Sequence, residues 1–134
     1  EVLCGGEPLS ETAYKPTVLL NPPADAKVSC AEIFGPVVCV YATDSMDAGI
    51  DVANSLPFSF QAAVFTESIE TAMRASTRLD AAAVMVNDHT AFRVDWMPFA
   101  GMKESGHGVG GVPHSMHEMQ VNKMTVIHSP EIAD

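Results

Sequence analysis

Short apolar runs alternate with amphipathic stretches through the middle of this chain, and few architectures accommodate that order. Pro36 to Ala42 (PVVCVYA) is continuously apolar, as expected of a strand covered on both faces. Ahead of it Tyr14 to Leu20 reads as a strand closed by Asn21-Pro22-Pro23, with a short helical turn over Ala26 to Ile33 between the two. From Ser45, Met46, Ile50 and Ala53 fall at helical spacing behind Asp44 as N-cap, and the helix is expected to stop near Ser55-Leu56-Pro57. Gln61 to Thr66 is the next strand. Ser68 to Leu79 then predicts a helix with Ile69, Met73 and Ser76 along one side, and Ala82 to Asn87 a further strand. This β-α-β-α-β order predicts an α/β fold in which right-handed crossovers lay the strands side by side in parallel.

The flanks are read differently. Glu1 to Gly6 reads as a short apolar strand running into a glycine turn, and a chain opening this way on Glu1 is expected to begin mid-domain. After Asn87 comes a stretch of about 20 residues without a clear period, long enough to predict a working loop rather than a connector. The last helix uses Val112, Met116 and Met119, with Pro113 tolerable in its first turn. Lys123 to Ser129 (KMTVIHS) alternates like a half-exposed strand, and Pro130 to Asp134 is a polar tail. With no hairpin partner nearby, that strand is expected to pair with another chain.

The 134 residues make one ordinary domain with room for a single core. Only 18% of them are charged, against roughly 25% for a typical soluble domain. Some apolar surface is therefore expected to face a partner. A net charge of −10 with seven Lys and Arg disfavours nucleic acid or an anionic membrane as that partner. Three cysteines at irregular spacing form neither an even disulfide set nor a Cys-x-x-Cys pair, which favours a reducing cytoplasm. No apolar run approaches about 18 residues, and the N-terminus carries no signal-peptide pattern.

Two segments carry a family resemblance. Glu32-Ile33-Phe34-Gly35-Pro36-Val37 resembles the E-I-F-G-P-V motif of aldehyde dehydrogenases, and the run from Pro98 to Gly108 (PFAGMKESGHG) resembles their P-F-G-G-x-K-x-S-G-x-G segment. Their order and separation fit, and the resemblance covers essentially the whole chain. It implies the C-terminal portion of an NAD(P)-dependent aldehyde dehydrogenase: a partial Rossmann-like, mostly parallel sheet with flanking helices over residues 1–122, and a C-terminal oligomerisation strand and tail over 123–134. The Asn87 to Phe99 loop looks most like dehydrogenases of small polar or anionic aldehydes, such as those of lactaldehyde or phosphonoacetaldehyde or the non-phosphorylating glyceraldehyde-3-phosphate enzymes.

By that resemblance Glu32 and Phe34 are cofactor-binding. A carboxylate accepts hydrogen bonds from both vicinal ribose hydroxyls, and a flat ring walls the nicotinamide end of NAD or NADP. Without the resemblance, Glu32 reads as a solvated helix-end charge and Phe34 as a packing anchor. Phe99 resembles the family's aldehyde-tunnel aromatic. Arg93 is a candidate substrate-binding residue, since guanidinium pairs bidentately with a carboxylate or phosphate, or else a surface partner of Asp95 or Asp88. Trp96 is a further wall or a cover for the loop. The nucleophilic cysteine, the oxyanion-donating asparagine and the general-base glutamate are implied to lie upstream of Glu1. No catalytic residue is therefore expected here, and the isolated chain is expected to be inactive. The parent reaction implied is oxidation of an aldehyde to a carboxylic acid through a cysteine thiohemiacetal and thioester. A non-catalytic dehydrogenase-like oligomerisation or binding module is the alternative.

Other motifs carry less. Gly106-His107-Gly108-Val109-Gly110-Gly111 satisfies G-x-G-x-x-G literally but follows a loop rather than a strand. His114, His117 and Glu118 have no third ligand at workable spacing, so no metal is expected. Cys4, Cys30 and Cys39 lack the basic surroundings that make a thiolate. Two positions depart from the family pattern. Ala100 stands where glycine is usual, a strained choice if φ there is positive, and Val109-Gly110 stand where Arg-Glu is common.

Overall fold

A computed structural model describes residues 1–131 of the chain. In order the elements are β1 (Val2–Cys4), β2 (Thr17–Leu20), α1 (Lys27–Cys30), β3 (Val37–Val40), α2 (Met46–Asn54), β4 (Phe58–Ser59) and β5 (Gln61–Val64). Then follow α3 (Ile69–Arg78), β6 (Ala83–Val86), β7 (Phe99–Ala100), β8 (Met102–Lys103), β9 (Val109–Gly110) and α4 (Val112–Glu118). The fold is α/β. Strands β2 and β3 run parallel from Thr17↔Val37 to Leu20↔Val40 across α1, and β1 lies antiparallel on the other edge of β2. Strands β5 and β6 run parallel from Gln61↔Ala83 to Val64↔Val86 across α3.

The two parallel pairs are not hydrogen-bonded to one another among the described residues, so the single sheet expected from the alternation is not closed within this chain. Every remaining strand has two residues, too short to bridge the open edges. β3 likewise lacks cover on both faces. Val37 and Cys39 are half-buried while Val38 and Val40 are exposed, because nothing among the described residues packs on the second face.

Each pair ends on an asparagine in left-handed backbone, φ 45° at Asn21 and 57° at Asn87. Asparagine tolerates that conformation because its short polar side chain bonds locally. Asn21 Oδ1 accepts from the Ala42 N–H at 3.1 Å. Asn87 Oδ1 accepts from Thr66 N–H at 2.8 Å, and its Nδ2 donates to Thr66 O at 2.9 Å. The second clasp fixes the point from which the long loop leaves the sheet.

The cap of α2 is Ser45 rather than Asp44: Ser45 is extended, and its Oγ accepts from Ala48 N–H at 3.2 Å. Ser68 does the same for α3, accepting from Thr71 N–H at 3.3 Å. Helix α3 buries the small residues Ala72 and Ala75, while Ile69 and Met73, along the side their spacing picked out, are exposed. Alanines permit the close approach against α2, where Ile50 is buried. Across that contact Asp47 pairs with both Arg74 and Arg78, and Arg78 reaches Asp51 at 3.2 Å. Ile50, Ala72, Ala75 and Met85 are the buried apolar residues, which makes a thin core.

The aperiodic loop after Asn87 is tied down by short bridges that periodicity cannot reveal: Phe99–Ala100 pairs antiparallel with Val109–Gly110, and Met102–Lys103 with Phe58–Ser59. Helix α4 starts as expected, with Pro113 in its first turn behind Gly111 at φ 113°. Lys123 to Ser129 forms no strand in this chain. Met124, Val126 and Ile127 are exposed there, since a lone segment has no ladder to join. Of the expected tail 130–134, residues 132–134 lie outside the described residues.

Candidate functional site

The loop between α1 and β3 carries Glu32 and Phe34. Glu32 is exposed, makes no side-chain hydrogen bond among the described residues, and lines an open depression of about 370 Å³ together with Asn54, Phe60, Asp80 and Ser105. Phe34 is 93% exposed and lines a different depression of about 470 Å³, against Glu11, Thr12 and Tyr14. The two residues thus share a loop but not a cavity in this chain. Each presents the group its expected role needs, a free carboxylate and a bare ring face.

Phe99 and Arg93 do come together. The Arg93 guanidinium lies over the Phe99 ring at 4.7 Å from its centroid, and its Nη1 donates to Pro98 O at 3.4 Å. Among the described residues Arg93 pairs with neither Asp88 nor Asp95. A cation over an aromatic face is attracted by the ring quadrupole, by roughly 0.5–1 kcal/mol where solvent reaches it. The Phe99 ring also meets Phe60 edge-on, centroids 4.9 Å apart and planes at 80°. Phe60 also lines the depression that holds Glu32, so it joins the cofactor candidate to the substrate candidates. Trp96 is exposed and stands apart from this stack.

Phe60 was not legible as a site residue. It sits in an ordinary-looking strand entry, and only the fold brings it against the motif segment. Lys103 and Ser105 were legible as motif letters but not as what they do. Lys103 Nζ donates to Asn54 O at 2.7 Å and Leu56 O at 3.3 Å and pairs with Asp80 at 3.2 Å. An ammonium has three donors, and all three are used. Ser105 Oγ accepts from the Ser59 N–H at 2.9 Å, and Ser59 Oγ donates to Asp80 O.

The glycine positions separate by necessity. A Cβ on Gly101 would lie 2.5 Å from Ser105 O, so the motif's second glycine is sterically required. Ala100, by contrast, is not among the positive-φ residues, and alanine is unstrained there. Val109 pairs with Ala100 across the short hairpin, while Gly106 and Gly108, from the literal glycine fingerprint, lie in the turn between β8 and β9. The cysteines remain unpaired, and Cys4 and Cys30 are exposed. Among the described residues no group of three His, Cys, Asp or Glu is placed to hold a metal ion, and no helix is long and apolar enough to cross a membrane.

The family model described as aldehyde dehydrogenase family matches residues 1–125. A 3-sulfolactaldehyde dehydrogenase of Priestia aryabhattai is 36% identical over 115 residues, covering 86% of this chain and 24% of that protein. In three dimensions the chain is similar to aldehyde dehydrogenase 21 from Physcomitrella patens in complex with the reaction product succinate, with TM-score 0.85 and 32% identity over 89% of this chain and 24% of the other. It is also similar to a glyceraldehyde-3-phosphate dehydrogenase from Methanocaldococcus jannaschii complexed with NADP, with TM-score 0.81 and 34% identity over 89% of this chain and 25% of the other. The chain thus spans about a quarter of the length of these relatives. With both motifs in the family's order and a match running almost from end to end, the chain belongs to the aldehyde dehydrogenase family.

Proposed function

We propose that the whole protein oxidises a small polar or anionic aldehyde to its carboxylic acid with NAD or NADP, and that this chain supplies the nicotinamide-ribose contact and the aldehyde entrance. The observation that carries the reading is that Glu32 and Phe60 line one depression while Phe99 stacks on Phe60 and Arg93 on Phe99. Glu32 accepts hydrogen bonds from vicinal hydroxyls and Phe34 packs a flat face, and together they orient the bound dinucleotide. The cofactor, when bound, accepts the hydride. Phe99 walls the entrance and keeps water from it. Arg93 keeps its remaining N–H donors for an anionic tail, in keeping with a relative named for sulfolactaldehyde and another holding succinate.

The covalent steps belong to residues of the whole protein outside this chain, and the chain alone is inactive. The two parallel pairs are parts of one Rossmann-like, mostly parallel sheet whose remaining strands lie in the rest of the protein. Residues 1–122 form part of the catalytic domain. Lys123 to Ser129, alternating and without a strand partner among the described residues, adds to the sheet of a second copy. The cytoplasm is the compartment that suits three unpaired cysteines.

The test is reduction of NAD+ or NADP+, followed at 340 nm in about the usual steady-state assay, on offering the whole protein a panel of neutral and anionic aldehydes. Turnover with anionic members supports the reading. A folded protein that binds dinucleotide yet reduces none with any aldehyde would instead be a non-catalytic module. Removal of residues 123–134 is expected to shift the whole protein to a smaller oligomer by light scattering, and an unchanged assembly refutes the strand exchange.

A further inference from the structure

Lys103 looks like an available charge at the edge of the site, and the structure gives it other work. Its three N–H donors go to Asn54 O, Leu56 O and the Asp80 carboxylate. Its backbone sits at φ 53°, a left-handed conformation that a non-glycine residue keeps only where its surroundings over-determine it. Those surroundings are a set of bonds around one turn. Glu104 N–H donates to Pro57 O at 3.0 Å, Ser105 Oγ accepts from Ser59 N–H at 2.9 Å, and Phe58–Ser59 pairs with Met102–Lys103. Gly101 admits the Ser105 carbonyl where any Cβ would collide with it.

This clasp has an aromatic ring at each end. Phe60 directly follows Ser59, and Phe99 precedes the Gly101 to Ser105 turn by one short strand. Their rings meet edge-on at 4.9 Å, and Arg93 lies on the second. We infer that Lys103 and Ser105 are positioning residues for the aldehyde entrance: by locking the 101–105 turn onto the 54–59 turn they set the angle at which Phe60 holds Phe99, and so the width of the mouth. The inference rests on the proposed aldehyde oxidation. It differs from a charge role for Lys103, which has no donor left to give a ligand.

The experiment compares Lys103→Met, Ser105→Ala and Ser105→Thr in the whole protein, with a short neutral aldehyde, a bulky neutral aldehyde and an anionic one. Lys103→Met and Ser105→Ala are expected to raise KM by about tenfold for the bulky aldehyde and about twofold for the short one, with kcat and the cofactor KM within about twofold. Ser105→Thr keeps the acceptor oxygen and restores the wild-type KM ratio. A rise confined to the anionic aldehyde makes Lys103 a ligand of the substrate and overturns the inference, as does an unchanged ratio of KM between bulky and short aldehydes. If Lys103→Met does not fold, Ser105→Ala, which removes a single bond, decides. If the wild-type protein oxidises no aldehyde the parent reading fails by itself. Hydrogen exchange of the Ser59 and Ala100 amides in Ser105→Ala then still decides the clasp, since unchanged protection would mean that Ser105 does not hold the two turns together.

Discussion

Replacing Gly101 by alanine asks whether the motif glycine is there for sterics or for flexibility. The added Cβ would lie 2.5 Å from Ser105 O, 2.6 Å from Ser105 C and 2.8 Å from Gly106 N, all backbone atoms with no rotamer to yield. The turn must therefore shift. Overpacking of this kind costs about 1–3 kcal/mol. The shift also draws Ser105 Oγ away from the Ser59 N–H, and Ser59 is only 7% exposed, so an unsatisfied donor adds a cost of about 1–3 kcal/mol. Taken together the local opening free energy falls by about 3 kcal/mol, which is on the order of a hundredfold in exchange rate at tenfold per 1.4 kcal/mol. The assay is native-state hydrogen exchange of segments 57–60 and 99–106 in the whole protein. Gly49→Ala is the control. It lies inside α2, its Cβ would meet only Thr43 Oγ1 at 3.4 Å, and replacing a helical glycine stabilises by roughly 0.5–1 kcal/mol. If Gly101→Ala leaves exchange in both segments within about twofold of wild type, the steric account of the motif is refuted.

Ser45→Ala is expected to destabilise α2 by about 1 kcal/mol and Asp44→Ala by less than about 0.5, measured as the local exchange of residues 46–50, because Ser45 alone caps the helix. Asp47→Asn breaks the pairs with Arg74 and Arg78, but all three side chains are more than a third exposed. The loss is therefore held to about 0.5–1 kcal/mol and shrinks in 1 M salt, and a larger, salt-independent loss would point to packing instead. Glu32→Gln keeps an acceptor but loses the charge, and is expected to weaken dinucleotide binding by about 10–100-fold in a fluorescence titration. Unchanged binding would return Glu32 to being a solvated surface charge.

What the sequence made legible follows from the range of each interaction. Helix and strand positions over 46–86 could be read because β-branched runs and helical spacing are local properties. Asp44 was chosen over Ser45 because the two are equivalent as residue types, and only backbone geometry tells which is the cap. Ile69, Met73 and Ser76 could be placed along one side of α3 from their spacing, but spacing does not tell which side is covered. Here the alanines make the contact and the larger residues lie bare. The stack of Phe60, Phe99 and Arg93 could not be read at all. It depends on the short Phe58–Ser59 and Met102–Lys103 pairing, about 44 positions apart, and two-residue strands leave no periodicity. The family motif marked the right segment, yet it showed which letters recur and not that Lys103 spends its donors on a turn.

The bare faces decide how any of these residues can act. The chain exposes 10336 Å², whereas a compact monomer of 14.2 kDa is expected to expose about 6,800 Å². The excess, about 3,500 Å² on this one chain, is several times one partner's share of a standard interface, about 800 Å². Part of it is the segment after Glu118, where Met119, Val121, Met124, Val126 and Ile127 are all exposed. Part is the outer face of β3 and the Ile69–Met73 side of α3. A core of one isoleucine, two alanines and one methionine does not offset the backbone entropy of ordering the chain, at about 1–2 kcal/mol per residue. The proposed remainder of the protein and a second copy would supply the cover those faces lack. The clasp at Lys103 and the asparagine clasps at Asn21 and Asn87 are made within this chain, whereas Glu32 and Phe34 line two separate open depressions. The proposed cofactor contact therefore depends on surface this chain does not supply, whereas the stack of Phe60, Phe99 and Arg93 is already built by this chain.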